Sequence, residues 1–187
     1  MISTYDEIDE KVKELVKEKR YDHSLLVSIE AEKLAVHYGI DSEEAKLTGL
    51  AHDIAKDFSD EENEYWINKY NLDKELLSDR YRKMVHADVG ALVCKEWFNF
   101  SDEMCNAIKY HTVANDVMSM LDKIIFIADK IGRRDIPEDL KVLKEMAYED
   151  IDKAMIYFLE REQVYLEKNG GRLLPQTIKL LSSLKEG

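Results

Sequence analysis

The chain has 187 residues, with 27 Lys+Arg against 39 Asp+Glu and a net charge of −12. This balance argues against a nucleic-acid binder, which carries a basic stripe, although a metal supplying local positive charge leaves phosphate substrates open. At this length one domain is the default, and it buries roughly 70% of its unfolded surface without disulfide staples.

Seven Gly and 2 Pro are too few for a turn-rich all-β protein. Cys94 and Cys105 form no CxxC pair and read as buried or half-buried thiols. The N-terminal stretch is charged throughout, unlike a signal peptide. The longest apolar run, Ile124 to Ala128, falls far short of the ~20 residues that span a membrane. The expectation is a soluble, cytoplasmic protein with no membrane and no nucleic-acid partner.

Helical periodicity dominates. Ser3 is placed to cap a first helix with Asp6 as its box partner, and Ile8, Val12, Leu15 and Val16 share one face. A second helix runs from about Asp22 to Tyr38 and stops at Gly39. Asp41 and Glu44 open a third, expected to continue through Ala55. Ser59 and Glu62 open a short acidic helix ending near Tyr70, and residues 84–98 and 101–111 give two more. Ser119 to Ile131 is strongly apolar and central. Pro137 suits a helix first turn, Asp150 to Lys168 forms a long helix, Gly170-Gly171 breaks it, and Pro175 starts the last. The predicted architecture is an all-α bundle of about nine helices. It forms a single domain over 1–187, with a core of about 18–135 on which helices of 137–187 pack.

Five histidines are few enough to take singly. His52 stands before Asp53 in LTGLAHDIAKD, with His23 upstream in RYDHSLLVS. His86 lies in MVHADVGA, His111 in IKYHTVA, and Asp129 in IIFIADKI. Each sits among apolar residues, where an unpaired polar group is costly. Taken singly, each histidine is readily explained as a satisfied core residue. Together the six satisfy one another or bind something, and a metal is economical, since imidazole suits Zn, Fe, Mn or Ni. Asp53 has two oxygens and can bridge two cations. Ligands converging from separate helices are how bundles build internal metal sites. His37 is the exception: fourteen residues from His23 is about 21 Å of helix axis, so it belongs to packing or solvent.

The series His23, His52-Asp53, Asp129, with His86 and His111 between, resembles the HD superfamily of metal-dependent phosphohydrolases. LTGLAHDIAKD, HADVGA, AIKYHT and IIFIADKI resemble its bacterial YqeK family, over about residues 18–181. That family comprises symmetrical bis(5′-nucleosyl)-tetraphosphatases, which hydrolyse diadenosine tetraphosphate to two ADP. Two words depart from the family pattern. Gly132-Arg133-Arg134 is one residue shorter, so Arg134 or Arg133 takes the family arginine's place, and Leu174 replaces a histidine before Pro175.

The resemblance implies an HD-domain bundle in which His23, His52, Asp53 and Asp129 hold iron. His86 and His111 would hold a second metal with bridging Asp53, or contact phosphate; Mn, Mg, Co, Ni or Zn are possible substitutes. Metal-activated hydroxide would attack an inner phosphorus, with Asp53 and Lys56 in catalytic positions. Lys56 follows the doublet by one helix turn and can reach the same cleft; with Arg20 and Arg134 (or Arg133) it is a candidate for binding the polyphosphate charge. His86, His111, Asp129 and Thr112 are further candidate substrate contacts, and the Gly170-Gly171 break with the helix start at Pro175 is placed to offer backbone N–H groups to the nucleotide. Thr112 equally suits a helix end, and the Gly170-Gly171 break equally suits a plain interhelical turn. The partner is a dinucleoside polyphosphate or nucleotide, and a homodimer is compatible with a compact helical domain. Two alternatives stay open: a nucleotidase or pyrophosphohydrolase acting on mononucleotides, and a non-catalytic nucleotide-binding regulator. Oxygen chemistry at a di-iron centre fits less well with Lys56 and Arg134.

Overall fold

Helix signals in the sequence translate into ten α-helices in a computed structural model, which describes residues 1–79 and 81–186. These are α1 (Tyr5–Leu15), α2 (Glu18–Tyr38), α3 (Ser42–Ala51), α4 (Asp60–Lys69), α5 (Val85–Phe98), α6 (Asp102–Tyr110), α7 (Met120–Ile131), α8 (Glu138–Glu149), α9 (Ile151–Lys168) and α10 (Pro175–Glu186). One 3₁₀ turn, Lys74–Leu77, lies between α4 and α5, and no strand occurs among the described residues. Among the described residues, no helix is long and apolar enough to cross a membrane.

Most starts follow the side-chain caps. Ser59 and Ser119 form reciprocal boxes with Glu62 and Asp122, while Asp41, Ser101 and Asp150 accept from backbone N–H groups of the first turn. Three boundaries differ from the sequence reading. Thr4, not Ser3, caps α1, because Glu7 rather than Asp6 reaches back to the cap N–H. Helix α2 begins four residues early, at Glu18 instead of Asp22, so His23 stands inside it with a full turn of support behind it. Helix α3 ends at Ala51 rather than Ala55. Beyond it the backbone tightens: the N–H groups of Ile54, Lys56 and Phe58 donate to carbonyls three residues back. His52 and Asp53 therefore sit on a turn at a helix end, not within one.

Helix α7 is the axis of the core. Ile124, Ile125, Phe126, Ile127 and Ala128 are all buried, and the helix packs against α2, α3, α6, α8 and α9. Shortening Ile127 to Ala would cost about 2–5 kcal/mol. The C-terminal helices are tied back to this core: the Tyr38 hydroxyl donates to the Ala147 carbonyl at 2.6 Å, and the Lys144 ammonium to Glu30 at 2.7 Å.

Glycine sets the closest approach. A Cβ on Gly49 would lie 3.0 Å from Ser28 Cα and 3.1 Å from the Val27 carbonyl oxygen. Helix α3 can therefore lie directly on α2, which brings the end of α3 beside His23. Gly132 does the same at the end of α7, where a Cβ would meet Val27 Cα at 2.9 Å.

Candidate metal centre and substrate cleft

Four chain segments deliver the polar cluster. His23 comes from α2, His52 and Asp53 from the turn after α3, His111 from the end of α6, and Asp129 from α7; His86 joins from the first turn of α5. His52, Asp53, His86 and His111 are buried. His23 Nε2 lies 2.9 Å from Asp129 Oδ1, and His52 Nε2 lies 3.5 Å from both Asp129 Oδ1 and Asp53 Oδ2. On the other side of the carboxylate, Asp53 Oδ1 lies 3.1 Å from His86 Nε2 and 3.4 Å from His111 Nε2.

The backbone fixes two of the imidazole tautomers. His52 Nδ1 lies 2.8 Å from the Gly49 carbonyl and His111 Nδ1 lies 2.6 Å from the Ile108 carbonyl. A carbonyl only accepts, so each Nδ1 carries a hydrogen and each ring turns its Nε2 toward the carboxylates; burial lowers the pKa of His111, whereas at His52 Asp53 and Asp129 outweigh burial and raise it. This orientation through the second ring nitrogen is the usual way a metal-binding histidine is held. His86 is pushed down to about 4 by burial, with His111 and Lys56 acting in the same direction and together outweighing the pull of Asp53, so at neutral pH it presents an uncharged ring.

The cluster is short of hydrogen-bond partners. His52 Nε2 and Asp53 Oδ1 are buried and lack a hydrogen-bond partner, a costly condition in a dry site. Burial alone would raise the Asp53 carboxyl, but His52, His111 and His86 outweigh it and hold it below the ordinary carboxylate range. Asp129 is likewise held low, despite burial, by Lys130, His23 and His52. Ligand atoms of His23, His52 and Asp129 lie within 4.8 Å of one another, as do those of His52, Asp53 and His111. The donor set and the unpartnered atoms fit a divalent cation, with N and O ligands suited to a first-row metal.

The cluster is the floor of a cleft of about 800 Å³. Arg20, His23, Asp53, Lys56, His111, Thr112, Asp129, Arg133 and Arg134 all line it, so nine residues singled out in the sequence meet there. The Arg20 guanidinium donates to Asp53 Oδ2 at 2.7 Å. The Lys56 ammonium lies 3.0 Å from His86 Nε2 and 4.0 Å from Asp53 Oδ1, and burial lowers its pKa. Arg134 is exposed and pairs with Asp22 at 3.1 Å. Gly170, Gly171 and Pro175 are not brought into the lining. Gly170 takes a left-handed φ of 76° at the end of α9, with open space around it. One residue of α10, Thr177, reaches back and donates to the Ala114 carbonyl, three residues beyond His111. His37 is exposed, against Tyr38 and Tyr148, away from the cluster.

Sequence reasoning missed Lys17, Lys19 and Lys130. Lys17 and Lys19 line the cleft at the start of α2, and the run Lys17-Glu18-Lys19-Arg20 just before His23 was the available signal. Lys130 donates to Asp129 Oδ2 at 2.6 Å and to the His111 carbonyl at 3.2 Å, so one ammonium ties two residues of the cluster together.

The HD-domain sequence profile matches residues 20–134, the stretch that contains the whole cluster. The symmetrical bis(5′-nucleosyl)-tetraphosphatase of Bacillus subtilis (strain 168) is 30% identical over 94% of this chain and 95% of its own. That of Staphylococcus aureus (strain NCTC 8325 / PS 47) is 35% identical over 92% of each. A crystal structure of a predicted HD-superfamily hydrolase involved in NAD metabolism, from Clostridium acetobutylicum, superposes with a TM-score of 0.89 at 31% identity. The match covers 100% of this chain and 99% of that one.

Proposed function

The chain is a hydrolase of the HD-domain family, and on that premise we propose that it cleaves diadenosine tetraphosphate symmetrically to two ADP. The observation that carries this reading is the set of converging, unpartnered His and Asp atoms at the floor of a cleft walled by Lys and Arg. The likeness to the two symmetrical tetraphosphatases, over nearly the full length of each chain, supports it.

His23, His52, Asp53 and Asp129 would hold the principal ion, with iron the metal proposed; His86 and His111 would serve a second ion or a phosphate oxygen. When bound, such an ion lowers the pKa of water from 15.7 toward about 7 and so supplies the nucleophile at neutral pH. Asp53 directs Oδ2 toward His52 and Arg20 and Oδ1 toward His86 and His111, the reach a bridging carboxylate needs. Phosphoryl transfer is largely positioning and charge stabilisation. Lys56, Arg20, Arg133 and Arg134 would hold the polyphosphate, with Arg20 exchanging its Asp53 partner for a phosphate oxygen. Lys130 would keep Asp129 and the end of α6 in register. Cleavage of the central anhydride adds one water and leaves two equal halves. The HD core and the C-terminal helices would act as one unit, with α8 and α10 bracing α2 and the segment after His111.

The test is to incubate the metal-loaded protein anaerobically with diadenosine tetraphosphate and to resolve the nucleotides. ADP as sole product is expected. AMP plus ATP would overturn the symmetrical cut, and no turnover with iron, manganese or cobalt would overturn the reading as a whole.

A further inference from the structure

A second cavity, of about 380 Å³, lies between the turn after α3, the start of α4, the 3₁₀ segment and the start of α5. Lys56 lines both cavities. His86 lines the second and also lies 3.1 Å from Asp53 Oδ1. The two recesses thus share Lys56 and meet the cluster through different residues, the first at His23, Asp53, His111 and Asp129 and the second at His86.

A symmetrical cut demands such an arrangement. If the attacked bond is the middle one, equal halves must extend from the centre, each ending in a nucleoside. One recess is walled by Lys17, Lys19, Arg20 and Arg134. We propose that the second recess binds the second nucleoside of the dinucleoside polyphosphate; this rests on the function proposed above and assigns one half of its substrate.

The lining has the chemistry for it. Its volume lies in the range of small-molecule pockets. Phe58, Leu76, Leu77 and Val85 give an apolar wall for a base. Asn63 is only 6% exposed, and its Nδ2 already donates to the carbonyls of Phe58 and Ser59. Its Oδ1 is buried with no partner, leaving an acceptor for the amino group of a base. Lys56, Arg82 and Lys83 line the recess with one carboxylate, Asp60, which pairs with Arg82. Lys56, within 4.0 Å of Asp53 Oδ1, is the cation that links the recess to the metal centre. A base–aromatic or base–apolar contact of this kind is worth enough to change selectivity about tenfold.

The test compares diadenosine tetraphosphate with adenosine 5′-tetraphosphate, which has one nucleoside, using the metal-loaded enzyme. Leu77→Trp fills the second recess, and Arg82→Glu reverses its charge at an exposed site whose loss leaves the core alone. Circular dichroism identifies any variant that fails to fold, and the other then decides. The expected result is a fall of about tenfold in the kcat/KM ratio of the dinucleotide over the mononucleotide for Leu77→Trp, with a smaller fall for Arg82→Glu. An unchanged ratio in folded variants overturns the subsite while leaving the function intact. Wild-type protein inactive on the dinucleotide overturns both.

Discussion

Two buried carboxylates in this molecule have opposite surroundings. Glu30, on α2, is nearly inaccessible, yet both its oxygens are taken: Lys144 donates to one at 2.7 Å and the Tyr148 hydroxyl to the other at 3.0 Å. Burial and the Glu30 charge push the Tyr148 phenol up, so it remains a donor. Asp53, just beyond the end of α3, accepts from Arg20 at Oδ2, but its Oδ1 and the neighbouring His52 Nε2 are left without partners among the imidazoles around them. Glu30 is completed by the protein; Asp53 Oδ1 is completed only by something the chain does not supply. Burial of an acid thus marks a structural tie in one place and a ligand site in the other, and the inventory of hydrogen bonds separates them.

The sharpest break in the comparison is removal of the incompletely partnered acid. Asp53→Ala should lower turnover by more than about a hundredfold, because even outer partners of metal ligands are worth 10–100-fold. The helical circular dichroism of the metal-free protein should barely change; an active, metal-depleted Asp53→Ala protein would contradict the assignment. Gly49→Ala drives a methyl against Ser28 and Val27. It should cost about 1–3 kcal/mol in denaturant unfolding and weaken metal uptake, since the α2–α3 contact places His52 beside His23. Lys56→Met should raise KM or lower kcat by about tenfold without loss of metal, in keeping with one charge-assisted phosphate contact. Unchanged kinetics would remove Lys56 from the site.

The Glu30 side gives the contrasting outcome. Lys144→Met strips one partner from Glu30, and because Lys144 is partly exposed the loss should be about 1 kcal/mol of stability. Thermal melting would read it, with kcat/KM kept. The smallest effect is expected at Arg134, which is 72% exposed and tied only to Asp22. Arg134→Ala should shift KM by less than about threefold, as a screened surface charge would.

Much of this contrast was legible in the sequence. Four histidines and two aspartates stood in apolar stretches, and the order around His52-Asp53 resembled a known family closely enough to fix the cluster and the all-α fold. The caps at Asp41, Ser59, Ser101, Ser119 and Asp150 gave most helix starts. What stayed hidden depended on geometry that periodicity does not encode. The pattern ran through Ala55, but the backbone changes to three-residue bonds at Ala51, which turns His52 and Asp53 into the cleft. Nothing in the sequence separates Lys130 from other lysines, and only the packing of α7 on α6 aims it at the His111 carbonyl. Gly170, Gly171 and Pro175 were placed by the anion-binding character of a helix start, whereas the chain path leaves them outside the cleft lining. Glu30 gave no signal at all, since its partners lie 114 and 118 residues away.

The most direct test of the account is a metal titration. Iron(II), with manganese(II) as the air-stable check, is titrated anaerobically by calorimetry into metal-free wild-type protein, Asp53→Ala and Lys144→Met. Saturable uptake by wild type and Lys144→Met, absent or greatly weakened in Asp53→Ala, is the result the account predicts. Equal uptake by wild type and Asp53→Ala would contradict it, since the unpartnered atoms around Asp53 would then not be the metal site.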